Sequence, residues 1–490
     1  MTKLDIIGIF LCLAIAKVTG ETNELNQPKS TKETVFVIMS QPDQYHTKLA
    51  RECRTRLESS LKSRGLTSVP IVTIGEEIPN HGSWTVFPII FHLGNRLKLN
   101  AKWYIFLDMV SVVNLASLEN VLRDHAEDHF IGYALKDESH TIIHHFSDPK
   151  ELEYPHFGAG FILSGSIVNE VSASMAEHGN RLDWLPMDFS IDAQYEFAKA
   201  LVDRQKRHVL KHEPRMCLKY DENCAIYPKF DGCDATDEKV LELSQKVLFA
   251  VKTCQKYHEE RLPIIKKTWA EAAPNIMYFS EVTDKDFETI QLDGVKNTER
   301  GHCQKTMAII KYFHENADVQ GWKWLIIADD DTILSVAKMM ELLLCFDADP
   351  DENIHLGQRY GYRVAFGRYG YDYVTGGGGM VFNRKMVATM IEDTNSRCQC
   401  SSADSPDDMH LGICMSNLDL TIVHSPLFHQ ARPEDYAQDL LLHSRDHTVS
   451  FHKFWNTDPL KMYDDWFRKS DHNLRAFKHS NVNIKAHDEL

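Results

Sequence analysis

Three consecutive carboxylates, Asp329, Asp330 and Asp331, follow directly on the apolar run Trp324-Leu-Ile-Ile-Ala328. Adjacent anions repel one another unless a cation sits among them. Oxygen ligands suit Mg2+ or Mn2+, and either ion would hold a diphosphate and neutralise the charge that grows on it as it leaves. The plainer alternatives are a solvated acidic loop, or a helix cap in which Asp331-Thr332 opens a helix over Ser335–Cys345. A second acidic pair stands in Ser405-Pro-Asp407-Asp408-Met-His410, where one carboxylate beside a sugar hydroxyl would serve as a general base. That role is worth roughly 10²–10⁴-fold in rate; here too a helix cap is the alternative. Between them lies Thr375-Gly376-Gly377-Gly378-Gly379-Met380, a stretch of backbone without Cβ atoms that a ligand can approach closely, or else a flexible turn. His424 and His429, in Val423-His-Ser-Pro-Leu-Phe-His429, are candidate nitrogen ligands for the same metal, although each alone reads equally as a structural histidine.

The elements that must position these groups recur. Trp103-Tyr-Ile-Phe-Leu-Asp108 matches Trp324–Asp329 at an offset of 221, and Gly158-Ala-Gly-Phe-Ile-Leu163 matches Gly377–Phe382 at 219. Pro186-Met-Asp-Phe189 matches Pro406–Met409 at 220, and Val35–Met39 with Tyr45-His46 parallels Val247–Val251 with Tyr257-His258 at 212. Four matches in one order at nearly constant spacing indicate a duplication. In the second copy, apolar runs predict strands over Val247–Val251, Ile276–Phe279 and Trp324–Ala328, with helices over Glu259–Ala273 and Cys303–Asn316. Alternating strands and helices imply an α/β class with a mostly parallel sheet covered on both faces. Ligands of such sheets bind beyond the carboxyl ends of the strands, where the three acids project. The first copy has Asp108-Met109-Val110 where the second has three acids, and it keeps Asp188 opposite Asp408 but has Met187 before it. One acid followed by Met and Val holds a nucleotide-bound cation poorly, so this copy is expected to be catalytically silent.

Whole-chain properties set the context. The 490 residues are 43% apolar and 25% charged, as in globular proteins, and the net charge of −16 without a long Lys/Arg block argues against a nucleic-acid partner. Met1–Gly20 has a basic start and an apolar stretch over Ile6–Ala16, too short to span a membrane, and reads as a cleaved signal peptide. No other segment is long and apolar enough to span. The final His487-Asp-Glu-Leu490 is an address read by the retrieval receptor of the endoplasmic reticulum. In that oxidising lumen the ten cysteines left after removal of Cys12 allow up to five disulfides, of undetermined connectivity.

Taken in order, the aromatic-led strand ending in three Asp, the Gly run, the Pro-Asp-Asp segment and the late Pro426-Leu-Phe-His429 resemble the Fringe-like β-1,3-glycosyltransferases of glycosyltransferase family 31. The resemblance implies two tandem GT-A-like (Rossmann-like) domains and inverting transfer from a UDP donor with Mn2+. It makes Asp331 the direct metal ligand with Asp329, aims Asp330 and Asp329 at donor sugar and ribose, and places the late histidine ligand at His429 rather than His424. Asp408 becomes the catalytic base, Gly377 and Gly378 border the donor, and Arg261 and Lys305 fall in segments that contact the nucleotide. The tandem copies, the retrieval tail and Arg368-Tyr-Gly-Tyr-Asp-Tyr-Val-Thr-Gly-Gly377 narrow the resemblance to members that move glucose from UDP-glucose onto O-fucose of thrombospondin type 1 repeats. The implied layout is a signal at 1–20, a degenerate domain at 30–215, a linker at 216–240, a catalytic domain at 241–470 and a polar tail at 471–490. A Fringe-like enzyme with another donor or acceptor, such as an N-acetylglucosaminyl- or galactosyltransferase, and a non-catalytic lectin or chaperone are the alternatives.

Overall fold

The computed structural model describes residues 33–78, 82–148, 152–177, 188–203, 208–229, 233–298, 301–346, 351–364 and 370–477. The expected signal peptide, the His-Asp-Glu-Leu tail and Pro186-Met187 lie outside them. Among the described residues no helix is long and apolar enough to cross a membrane.

Among the described residues two large mixed sheets stand out beside four small ones of two or three strands. In the first, β1 (Thr34–Met39), β2 (Ile71–Thr73), β3 (Trp103–Asp108), β4 (Phe130–Gly132), β5 (Phe161–Ser164) and, beyond a short strand β6 (Phe189–Ser190) that leaves this sheet, β7 (Lys211–His212) lie in the order β7-β4-β5-β3-β1-β2. The second contains β8 (Val247–Lys252), β9 (Ile276–Ser280), β10 (Thr289–Gln291) and β11 (Trp324–Asp329). After the short strand β12 (Thr332–Leu334) come β13 (His355–Gly357), a hairpin of β14 (Arg359–Tyr362) and β15 (Tyr371–Val374), then β16 (Met380–Asn383), β17 (Val423–His424) and β18 (Ser450–His452). Its order is β10-β9-β8-β11-β16-β13-β17, which repeats the first sheet strand for strand with β10 added. Neither sheet is wholly parallel: β5 and β16, the strands that follow the glycine segments, run antiparallel to both neighbours.

Central strands are buried on both faces, as continuous apolar runs require. Val247, Phe249 and Val251 of β8 enter one core and Leu248 and Ala250 the other, while Val35 and Val37 of β1 are divided in the same way from Phe36 and Ile38. Register carries the consequence for chemistry. Lys252 pairs with Asp329 across β8 and β11, and Met39 pairs with Asp108 across β1 and β3. The first copy therefore lacks a buried cation as well as two acids.

Two local expectations are revised. The helix predicted through Ala273 ends at Lys267, and the chain continues as a 3-10 turn over Trp269–Ala272. Asp331-Thr332 does not cap the next helix: Thr332 starts β12, and the Ser335 hydroxyl accepts from the Lys338 amide to cap Val336–Leu343. The segment between the copies is tied to both. Cys217–Cys224 closes a small loop, Ile226–Pro228 pairs with Ser111–Val113, and Cys233 is bonded to Cys345. Two further disulfides, Cys303–Cys400 and Cys398–Cys414, clamp the segment before and within the helix over Asp407–Asn417. Cys53 and Cys254 are free and buried.

Candidate active site

The end of β11 delivers its acids to different partners. The Asp330 carboxylate is turned back into the protein, accepting from Arg261 at 2.7 Å and from the Thr253 hydroxyl at 2.7 Å. Burial raises its pKa to about 6 against the pull of Arg261. Arg261 also reaches Asp331 Oδ2 at 3.0 Å and lies 3.8 Å over the Tyr257 ring. Asp329 Oδ1 lies 3.0 Å from Lys252 Nζ. The repulsion expected of three adjacent anions is thus met in part by two cations of the chain itself.

The acids that remain turned outward meet a histidine not anticipated from sequence. His452, at the end of β18, lies 3.1 Å from Asp331 Oδ1 and 3.9 Å from Asp329 Oδ2. Asp329, Asp331 and His452 each offer one atom within 4.8 Å of the others. Burial works against a charge on His452, but Asp331 and Asp329 outweigh it and raise its pKa. Two carboxylate oxygens and one imidazole nitrogen form a donor set that fits a divalent cation.

His429 and His424, the expected late ligands, lie outside this group. His429 Nδ1 lies 3.1 Å from the Ser450 carbonyl, with its ring between Tyr436 and Phe451 at 4.7 Å each. Burial lowers its pKa to about 4. His424 Nδ1 accepts from the Arg359 amide, and its backbone exchanges two hydrogen bonds with the Gln41 side chain of the first copy.

The glycine run is explained by this same histidine. A Cβ on Gly377 would collide with the His452 ring, so the imidazole reaches the acids only across a residue without a side chain. The Gly377 carbonyl accepts from Thr332 Oγ1 at 2.8 Å, and the Gly378 amide donates to Gln430 at 2.9 Å. Lys305 is buried and places its ammonium on the Thr253 carbonyl, Asn297 and Glu281. It braces the end of β8 with its three donors occupied.

Asp407 and Asp408 occupy the first turn of the helix over Asp407–Asn417, at its positive end. Asp407 ion-pairs with Lys252 and accepts from Thr306 Oγ1 at 2.6 Å. Burial alone would raise its pKa, but Lys252 and Thr306 hold it at about 2. Asp408 has no such cation: it accepts from the Met409 amide at 2.7 Å and the Gly376 amide at 3.4 Å. Burial, reinforced by the Asp407 charge, pushes it to about 6. One acid is locked as an anion and its neighbour is poised to exchange a proton near neutrality. Lys252, buried between Asp329 and Asp407, links the outward acids to the segment carrying Asp408.

In the first copy, Asp108 is half-buried and accepts from the Val110 amide, and desolvation raises its pKa. Asp188, the counterpart of Asp408, instead holds Arg363 of the second copy at 2.8 Å.

The mixed α/β sheet thus gathers carboxylates at the end of its central strand, linked through Lys252 to a second acidic pair. A family model described as Fringe-like matches residues 242–479. The chain is 37% identical to the β-1,3-glucosyltransferase of Homo sapiens over 90% of its own length and 86% of that protein, and 37% identical to the Mus musculus enzyme over 90% and 87%. It is 26% identical to the Drosophila melanogaster Fringe glycosyltransferase over 42% of this chain and 54% of that one. The chain belongs to the Fringe-like β-1,3-glucosyltransferases.

Proposed function

We propose that the chain transfers glucose from UDP-glucose, in β-1,3 linkage, to O-linked fucose on thrombospondin type 1 repeats in the lumen of the endoplasmic reticulum. The observation that carries this reading is the lysine bridge. Lys252 touches Asp329 of the outward acids at 3.0 Å and ion-pairs with Asp407, the residue before Asp408. A diphosphate site and a poised base thus share one rigid contact.

On this reading Asp329, Asp331 and His452 hold Mn2+, which when bound supplies positive charge to the leaving diphosphate. Arg261 and the backbone at Gly377 and Gly378 border the donor, Asp330 acts on it only through Arg261, and Lys305 braces the strand end beneath it. Asp408 takes the proton from the fucose 3-hydroxyl as that oxygen attacks the glucose anomeric carbon. Going from an α-linked donor to a β-linked product inverts that carbon, so a single displacement with one base suffices and no covalent glucosyl-enzyme is needed. The two sheets are read as tandem GT-A-like domains at 30–215 and 241–470 joined at 216–240, the first without catalysis of its own. Four disulfides among the described residues fit an oxidising lumen. Met1–Gly20 as signal and the terminal His-Asp-Glu-Leu, read by the retrieval receptor, account for entry and retention.

The test is a panel of UDP-sugars with Mn2+ and an O-fucosylated repeat, with product linkage determined by mass spectrometry and NMR. Transfer of glucose alone, lost in Asp331→Asn and Asp408→Asn, is expected. Efficient transfer of N-acetylglucosamine and not glucose overturns the donor assignment, and transfer surviving both substitutions overturns the site.

A further inference from the structure

The hairpin of β14 and β15 carries a row of aromatic rings that the chemistry above does not use. Tyr362 pairs with Tyr371 across the hairpin, and Tyr360 pairs with Tyr373 two residues further along the same face. The row does not end with the second copy. Strand β6 of the first copy pairs antiparallel with β14 and sets Phe189 opposite Tyr362. Directly opposed residues on neighbouring strands share a face, so Phe189, Tyr362 and Tyr371 form one line across three strands. Their ring centroids are 5.2 and 5.5 Å apart, and Tyr373 follows at 6.3 Å.

One end of this line packs on the helix that carries Asp408. The helix that starts with Asp407 and Asp408 lies on the hairpin at Gly412, where a Cβ would stand 2.6 Å from Tyr373 Cβ and 3.0 Å from Tyr371 Cδ2. Burial first, then Tyr362 and the Asp408 charge, push the Tyr371 hydroxyl up to about 12. The other end is open: the Phe189 side chain is 38% exposed, although it is a large apolar ring beside two half-buried tyrosines. The first copy also fixes the opposite side of the hairpin. Trp84 Nε1 donates to Asp372 at 2.9 Å, Gly361 leaves room for the Trp84 ring, and Asp188 holds Arg363 at the end of β14.

We infer that this line is the acceptor platform: Tyr371 lies beside the acceptor sugar at the base, and Tyr362 and Phe189 bind the polypeptide that carries it. The first copy then contributes a binding residue to the active site although it has no chemistry of its own. The inference rests on the proposed function, because it takes Asp408 to mark the acceptor end of the site. A polypeptide acceptor fits better than the nucleotide donor, whose acids lie on the far side of the Lys252 bridge. Three rings at strand spacing cover about 10 Å, more than a single sugar needs. Aromatic anchors at the centre of a contact each contribute on the order of tenfold or more to affinity.

The experiment compares two acceptors, an O-fucosylated thrombospondin repeat and a small aryl fucoside, with the full chain and with Phe189→Ala, Phe189→Trp and Tyr362→Ala. Hydrolysis of UDP-glucose without acceptor reports the donor site separately. The expected result is a KM for the repeat raised roughly tenfold in Phe189→Ala and Tyr362→Ala. The KM for the aryl fucoside and the donor hydrolysis stay unchanged, and Phe189→Trp restores the repeat. Equal KM changes for the two acceptors, or none for either, overturn the inference while leaving the proposed function intact. Failure of the unaltered enzyme to glucosylate either acceptor overturns the proposed function and this inference with it.

Discussion

Replacing Lys252 by Met puts into the second copy the residue that the first has at the same register, Met39. The volume is nearly kept, but two carboxylates lose their shared cation. Lys252 is 6% exposed, and Asp407 is 8% exposed, so water cannot substitute for the lost charge. Asp407 is held at about 2 instead of its usual 3.8, a difference worth roughly 2–3 kcal/mol at neutral pH. The sign is fixed by the direction of the shift. A depressed carboxylate stabilises the fold above its unfolded value and loses that contribution as pH falls through about 2, so at pH 7.5 the whole of it is at stake. Asp329, partly exposed and screened, adds up to about 1 kcal/mol. The sum, about 2–4 kcal/mol, is comparable to the cost of orphaning one partner of a buried ion pair. For a catalytic half of this size each kcal/mol moves Tm by about 2–4 °C, so thermal unfolding of Lys252→Met should begin on the order of 10 °C lower. Lys252→Met combined with Asp407→Asn removes the orphaned charge and should recover more than half of the loss. A single variant that melts within about 2 °C of the unaltered chain refutes the bridge.

Three further outcomes follow from the same geometry. Asp408 must be ionised to accept a proton and has its pKa raised to about 6, so kcat/KM should fall tenfold per pH unit below about 6. Asp408→Asn should lose roughly 10²–10⁴-fold at pH 7.5, and an unshifted acid limb in a residually active Asp408→Asn would rule it out as the titrating base. Chelation should abolish transfer and Mn2+ restore it; by calorimetry, His452→Ala should weaken Mn2+ binding at least tenfold, whereas His429→Ala should leave it nearly unchanged and lower Tm. In the first copy, His144 lies between Asp137 at 2.6 Å and Asp192 at 3.0 Å, which outweigh burial and raise its pKa to about 9. A raised histidine stabilises fully below its unfolded value near 6.5 and loses that contribution as pH climbs through about 9. The Tm advantage over His144→Gln should therefore shrink between pH 6.5 and 9.5, and a constant difference would contradict the triad.

What the sequence made legible was local. An apolar strand running into Asp329–Asp331, a glycine run before Met380–Asn383 and paired acids opening a helix are all contiguous patterns, and each is found at the site. Lys252 and His452 are not adjacent to any of them in sequence. Lys252 ends a buried strand, and its meaning comes from a register with Asp329, 77 residues on. The offset of 212 read from the sequence sets Met39 against Val251, and only the sheet register sets it against Lys252. His452 follows the run Val449–Phe451 much as His429 follows Leu427-Phe428, and the two cannot be ranked without knowing which strand ends beside β11. The glycine run was readable as a place of close approach, but what approaches Gly377 is the His452 ring of the protein itself. Asp188 shows the same limit from the other side: its place opposite Asp408 was visible, its pairing with Arg363 was not, because that contact joins the two copies.

Of the two similar sheets, one is proposed to carry the chemistry and the other not. The registered carboxylates Asp329 and Asp108 test it in a single measurement, the initial rate of glucose transfer from UDP-glucose to an O-fucosylated repeat at saturating Mn2+. Asp329→Asn should lower that rate at least a hundredfold, and Asp108→Asn should leave it within about twofold of the unaltered enzyme. Equal losses in the two variants, or a larger loss in Asp108→Asn, would contradict the account.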